Sequence, residues 1–211
     1  MRFIKIFTFF FLIWSIQALS AQSILFEVGQ TSSGFTHNSA SGPEAFFFSD
    51  KGQVLKVSFI QDFLKTHEVS FGASLFEANS LGQVITTELD YRTQFLGVFA
   101  LSHFNVLSLA NRSYCASCTD FNFYLNAGVQ FSSLLSGTQK INTDTYNLRG
   151  IEDFKGIWFS PILGTKVRFD ASDIISLILT YNYIPMLNVT DTEEDFKINS
   201  NQLTIGVRLW L

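Results

Sequence analysis

The sequence predicts an all-β protein, a transmembrane up-and-down antiparallel β-barrel of eight strands. Three observations predict it: an export signal at the amino terminus, apolar residues recurring with a period of two, and side-chain volumes that fit a narrow cylinder in one orientation only. Composition sets the frame. Of 211 residues 47% are hydrophobic and 16% aromatic, 24 Phe are present and only 15% are charged, which excludes a disordered chain. No segment after the signal approaches the roughly 18 uninterrupted apolar residues of a membrane helix. The formal charge is −4 with Lys and Arg scattered. No basic patch exists to neutralise a phosphate backbone, so nucleic acid is not expected as a partner.

Arg2 and Lys5 give a positive start, Ile6 to Trp14 an apolar run broken by Thr8, and Ala18, Ser20 and Ala21 the small residues of a cleavage site. Residues 1–21 therefore read as a cleaved signal peptide, with cleavage after Ala21 or Ser20, and residues 22–211 as one outer-membrane barrel domain. No Cys stands at that boundary to accept a lipid anchor. Loss of Arg2 and Lys5 leaves 12 basic against 18 acidic residues, a mature charge of −6.

Four strands with weaker alternation come first, at about 23–30, 53–61, 67–77 and 86–101. The fifth is the clearest: Phe121, Phe123, Leu125, Ala127, Val129 and Phe131 share one face, and Asn122, Tyr124, Asn126, Gly128, Gln130 and Ser132 the other. The sixth sets Ile157, Phe159, Pro161, Leu163, Thr165, Val167 and Phe169 against Trp158, Ser160, Ile162, Gly164, Lys166 and Arg168. The seventh sets Ile175, Leu177, Leu179, Tyr181 and Tyr183 against Ser176, Ile178, Thr180 and Asn182. The eighth carries Leu203, Ile205, Val207, Leu209 and Leu211 on one face to the carboxyl terminus. Turn formers fill Thr31 to Glu44, Glu77 to Gly82, Gly137 to Gly150, Asp170 to Asp173 and Val189 to Asn201.

Volume decides which face is inside. The interior of an eight-stranded barrel is just wide enough to be filled by side chains. Compact Asn, Gly, Gln and Ser fit there, whereas the bulky Phe, Leu and Val faces would overpack it and so must meet lipid. With the amino terminus in the periplasm, the connections at 31–52, 137–155 and 188–201 all fall on the outer side, and Tyr91, Tyr181 and Tyr183 sit on the lipid face near outer strand ends. The same register turns Glu27, Lys56, Glu68, Asp90, Arg92, Lys166, Arg168 and Arg208 inward. Buried charges must pair. Closure makes the first and last strands neighbours, so Glu27 with Arg208 is the first expected pair, within an ion network that plugs the lumen.

The stretch Phe123 to Lys140, FYLNAGVQFSSLLSGTQK, resembles the glycine-centred strand and "LLS" segment of the Bacteroidetes-type outer-membrane β-barrel domain family, which includes type IX secretion-associated, porin-like barrels. Leu89-Asp90-Tyr91, Tyr181-Asn182-Tyr183 and the closing Ile205-Gly206-Val207-Arg208-Leu209 are similar to its other recurring features, and the likeness runs over essentially the whole mature chain. It implies an outer-membrane location, with envelope or secretion proteins as partners. The sequence departs from that pattern twice. Leu211 ends the chain where such barrels carry Phe or Tyr, and residues 103–120 are long enough to hold two further short strands, ten in all.

Cys115 and Cys118, spaced C-A-S-C, lie in that long connection without a βαβ unit or a second pair for zinc. They read as a local disulfide or an idle thiol pair, and a bridge would require a turn at 115–118. His37 falls in the first outer loop near Ser39, Ser41 and Glu44, the one arrangement that would serve a lipid hydrolase or acyl transferase; His67 and His103 fall near the inner rim, neither beside a nucleophile in sequence. The acidic run Asp191, Glu193, Glu194 and Asp195 reads as a solvated loop. No nucleophile elbow, zinc-protease motif or phosphate loop occurs, and no catalytic, metal or cofactor residue is assigned. The expected protein is a non-enzymatic barrel with a plugged polar lumen and displayed loops, whose partners are outer-membrane lipid and, during biogenesis, the barrel-assembly machinery. The rival reading is a lipid-modifying enzyme built around His37.

Overall fold

The computed structural model describes residues 23–38, 46–64, 66–84, 87–106, 121–151, 154–190 and 195–211. Ten strand segments occur among them: β1 (Ser23–Asn38), β2 (Phe46–Leu64), β3 (His67–Glu77), β4 (Ser80–Val84), β5 (Thr87–Asn105), β6 (Phe121–Ile141), β7 (Asp144–Asn147), β8 (Trp158–Asp170), β9 (Ile175–Asn188) and β10 (Asp195–Trp210). All pair antiparallel, and the sheet closes on itself. β1 runs against β10 from Ser23↔Trp210 to Asn38↔Asp195 and against β2 on its other side. β3 and β4 lie in succession along β2 and β5, so they form one stave. β7 is a short flap on the end of β6. The ring therefore has eight staves, as the sequence predicts, and the two additional segments are β4 and β7. The expected turn at Glu77 to Gly82 is in part β4.

The strands outrun the sequence reading at the end where β1 meets β2, here called the loop end. β1 continues to Asn38, β6 to Ile141 and β9 to Asn188, and β10 begins at Asp195, so much of what turn-rich composition assigns to outer loops is paired wall. Turn formers yield to strand because neighbouring strands supply backbone partners, as β10 does for β1 as far as Asn38.

The exterior changes character at one level. On β10 the outward residues Lys197, Asn199 and Asn201 give way to Leu203, Ile205, Val207, Leu209 and Leu211; on β5 Glu88, Asp90, Arg92 and Gln94 give way to Leu96 and Val98; on β1 Gln30 gives way to Val28 and Phe26. Cross-strand pairing joins these switches into a row, Leu55–Leu75–Leu96 on the apolar side and Gln30–Gln53 with Glu77–Gln94 just above it. Tyr181 and Tyr183 stand outside at this level and donate to Asn201 at 2.8 Å and Asn199 at 3.2 Å, the position in which an amphipathic ring bridges hydrocarbon and headgroup. From Leu203 to Leu211 the apolar run matches the roughly nine to eleven residues a tilted strand needs to cross a bilayer. The barrel spans a membrane with its terminal half.

The interior switches in the opposite sense. Within the apolar band the lumen holds mainly Ser, Thr, Asn, Gln and charged groups, with a small buried apolar cluster of Leu25, Ile60 and Ile178 among them. At the loop end it holds Phe35, Val54, Phe76, Phe95, Trp158, Ile184, Met186 and Ile198, capped by Leu148 and Phe154 from the connection after β7. Phe35 meets Tyr91 edge-on at 5.2 Å between ring centroids, and Phe95 meets Trp158 at 5.7 Å. The lumen is filled as expected, but its loop half is filled by an apolar core rather than polar groups. Gly52 on β2 lies beside the boundary row, where a Cβ would meet both Thr31 Oγ1 and Glu77 Cβ at 2.6 Å. Its bare backbone lets the Thr31 hydroxyl reach past β2 to donate to the Glu77 carbonyl at 2.6 Å.

A charge on the apolar exterior must be paid for in lipid but not above it. Ile205→Arg is expected to destabilise the barrel by about 2–4 kcal/mol, whereas Asn201→Arg stays within about 1 kcal/mol; urea unfolding in lipid vesicles measures both.

Candidate functional site

The terminal end of the lumen carries the densest chemistry. Glu68, on β3, is the hub. Its Oε2 accepts from Lys166 Nζ at 2.7 Å, and its Oε1 accepts from Arg208 Nη1 at 3.0 Å, from the Tyr124 hydroxyl at 2.8 Å and from Arg168 Nη1. Asp62 stands directly opposite Glu68 across the β2–β3 ladder, a like-charge pairing that is unfavourable by itself. Arg208 resolves it with its two forks, donating from Nη2 to Asp62 at 3.1 Å while Nη1 holds Glu68, and its Nε donates to Ser23 Oγ at 2.6 Å. Arg168 also pairs with Asp170 at 3.0 Å.

Aromatic faces complete the cage. The Arg208 guanidinium lies 3.7 Å from the Trp210 ring centroid, and Lys166 Nζ lies 4.4 Å from that of Tyr124. Trp210 Nε1 donates to Ser176 Oγ, which donates in turn to Asp170. Three cations thus meet three carboxylates, and the ion pairs of Lys166, Arg168 and Arg208 with Glu68 and of Arg208 with Asp62 are also hydrogen-bonded, the condition under which buried charge is tolerated.

One step toward the loop end, Ser70, His103 and Asn126 form a chain. Ser70 Oγ lies 2.8 Å from His103 Nε2, and His103 Nδ1 lies 2.7 Å from Asn126 Oδ1. With Nδ1–H donating to Asn126, Nε2 accepts from the serine, the arrangement of a nucleophile, base and orienting group. All three side chains are buried, His103 at 3% exposure, and all face the lumen rather than lipid. Further along, the Thr204 hydroxyl donates to Glu27 at 2.8 Å, and Glu27 stands opposite Lys56, whose ammonium lies 5.9 Å from the Phe99 ring.

Of the lumen residues read from the sequence, Glu27, Lys56, Glu68, Lys166, Arg168 and Arg208 lie inside. Two corrections are required. Asp90 and Arg92 point outward and pair with each other at 2.8 Å, Arg92 also with Asp50 at 3.0 Å, while Tyr91 between them is buried against Phe35 and Phe47. The cause is the inverted polarity at this level, where an apolar residue belongs inside. The expected Glu27–Arg208 pair is replaced by Arg208 with Glu68 and Asp62, because Arg208 sits lower than Glu27 by one inward residue: it faces Leu25, and Glu27 faces Gly206.

His37 is not in a loop but on β1, opposite Phe196. Ser39, Ser41, Glu44, Asp191, Glu193, Glu194, the signal segment 1–21, and Cys115 with Cys118 lie outside the described residues, as do residues 107–120. Sequence reading missed Asp62, which lies just past the expected end of the second strand at about 61, and Asp170, assigned to a turn. The even-numbered parity of Val54, Lys56, Ser58 and Ile60 already points Asp62 inward. It also missed the Ser70–His103–Asn126 contact, for which no local spacing gives a signal.

Replacing the hub takes from Lys166 its carboxylate and leaves Arg168 with Asp170 and Arg208 with Asp62 beside that buried ammonium. Glu68→Gln is expected to cost about 3–5 kcal/mol, and a second change, Lys166→Met, to recover part of it; vesicle unfolding curves that match the native protein for Glu68→Gln would sink the hub assignment.

No sequence-family model matches the chain, and no curated protein matches it in sequence. Among solved structures it is similar to Neisserial surface protein A, with 11% identity over 89% of this chain and 97% of that one at a TM-score of 0.49. It is similar to the outer membrane protein OprG of Pseudomonas aeruginosa, with 10% identity over 90% and 97% at 0.49, and to the outer membrane enzyme PagL, with 10% identity over 88% and 99% at 0.41. The fold assignment rests on the closed ring itself.

Proposed function

We propose that the protein is a non-enzymatic β-barrel of the bacterial outer membrane with a structural or interaction role in the cell envelope. One observation carries this reading: the lumen is filled over both halves, by the ion cluster at the terminal end and by the aromatic core with Leu148 and Phe154 at the loop end. A solute that entered from either side would have to break buried ion pairs or open an apolar core. Neither conduction nor internal turnover is supported by such a cylinder, which leaves the outer surface for recognition. The loop rim presents Phe48 and its cross-strand neighbour Leu81, 59% and 41% exposed above the membrane band, as apolar contact points among polar residues.

Membership of the Bacteroidetes-type outer-membrane barrel family, with secretion or envelope proteins as partners, is proposed on the order of the segments at 123–140, 181–183 and 205–209. Outer-membrane lipid and the barrel-assembly machinery follow as partners from the fold class. A lipid-modifying enzyme is the second reading, and the Ser70–His103–Asn126 chain is the observation in its favour. Its enclosure argues against it.

Detergent-extracted protein is expected to shift in gel migration on heating and to leave labelled envelope lipid intact. A fluorophosphonate is expected not to label Ser70. Lipid turnover abolished by His37→Ala, or a label abolished by Ser70→Ala, would overturn the non-enzymatic reading.

A further inference from the structure

We propose that the outer wall of the barrel binds one anionic lipid of the leaflet at the loop end, its headgroup held by Arg149 and Arg92 and its acyl chain laid along β1, β2 and β3. This rests on the membrane reading above. The wall is not smooth at the polarity boundary. A recess of 590 Å³, with Arg92, Gln94, Ser136, Thr138, Asn147 and Arg149 in its lining, opens just above the Leu75–Leu96 pair. It shares Glu77 and Gln94 with a neighbouring furrow of 340 Å³ whose outward apolar residues are Val28, Leu55 and Leu75. A polar recess at headgroup level continuous with an apolar furrow at chain level has the two-part character of an amphiphile.

Charge selects the headgroup. Arg149 supplies the charge, since Arg92 is already answered by Asp50 and Asp90, and the carboxylate in the lining, Glu77, accepts the Gln53 backbone N–H at 3.1 Å. Arg149 is exposed, and its guanidinium has no ion-pair or hydrogen-bond partner among the described residues. Arg92 is bridged to Asp50 and Asp90 yet leaves 50% of its side chain exposed. A phosphate takes the fork of an Arg in two parallel hydrogen bonds, while Ser136 and Thr138 add hydroxyls beside it. A zwitterionic lipid would gain the furrow but carry no net charge for Arg149 to answer.

The test uses the full-length barrel in nanodiscs of phosphatidylcholine with a minor share of phosphatidylglycerol, followed by native mass spectrometry of the lipid retained on release. One phosphatidylglycerol held in preference to phosphatidylcholine is expected. Arg149→Gln lowers that preference about five-fold, the size of one basic side chain near an anionic surface, and Arg149→Lys restores most of it. Excess inorganic phosphate leaves the lipid in place; displacement by phosphate would assign the recess to a free anion and overturn the lipid proposal. Native preference in Arg149→Gln would overturn the site, whereas failure of the chain to enter nanodiscs would overturn the membrane reading on which it rests.

Discussion

Closure of β1 on β10 is the constraint on which the rest depends. The two strands pair along their whole length, from Ser23↔Trp210 to Asn38↔Asp195, and this seam removes the last free edge of the sheet. At membrane depth an unpaired backbone N–H or C=O costs several kcal/mol with no water to satisfy it, so an open sheet of this composition would not be tolerated in lipid. Closing with eight staves also sets the bore, and a bore that narrow has to be filled by the side chains that point into it. The seam brings Arg208 within reach of Asp62 on β2 and Glu68 on β3, across β1, so the charged cluster exists only in the closed ring.

The cylinder passes from hydrocarbon to water along its own axis, and its side chains exchange roles at the crossing. Below the Leu55–Leu75–Leu96 row the bulky groups face out and the polar groups face in; above it Asp90, Arg92, Lys197 and Asn199 face out, and Phe35, Tyr91, Ile184 and Ile198 face in. The loop half is in effect a small water-soluble barrel with its own aromatic core, stacked on a membrane barrel with a polar one. The backbone is indifferent to the exchange. Strand parity runs unbroken through the boundary on β1, β9 and β10, and only the identity of the residues at each parity changes.

That exchange explains what was legible in the sequence. Within the band, period two and side-chain volume sufficed: the faces of β8, β9 and the terminal halves of β6 and β10 were readable residue by residue, because hydrocarbon outside and a narrow bore inside leave one solution. Above the band the same rule misleads. Tyr91 was read as lipid-facing and its neighbours Asp90 and Arg92 as buried, since a uniform polarity was carried past the point where the solvent changes. Strand ends were underread for a related reason: Ser32, Ser33, Gly34 and Thr36 look like a turn, but β10 pairs with all four and β2 with Ser32 and Ser33, and these ladders hold them extended. The contacts across the bore were not legible at all. Ser70, His103 and Asn126 come from β3, β5 and β6, and their meeting depends on the register of three strands.

The lumen network is best understood as a substitute for a hydrophobic core in the half of the barrel that cannot have one outside lipid. Lipid competes with the interior for apolar side chains, so the band gives most of its Phe and Leu to the exterior and holds its interior together mainly with polar groups, beside the small Leu25–Ile60–Ile178 cluster. Glu68 does so by joining β3 to β6, β8 and β10 through Tyr124, Lys166, Arg168 and Arg208, four groups on three strands around the ring. Isolated ion pairs stabilise little, but a hub whose every partner is itself held, Arg208 by Ser23 and Trp210 and Arg168 by Asp170, loses all of those contacts if one stave shifts. The terminal half is thereby locked in register by charge and the loop half by aromatic packing. A cylinder braced in this way at both ends is suited to holding a surface in place, and the wall and the loop rim are the surfaces it holds.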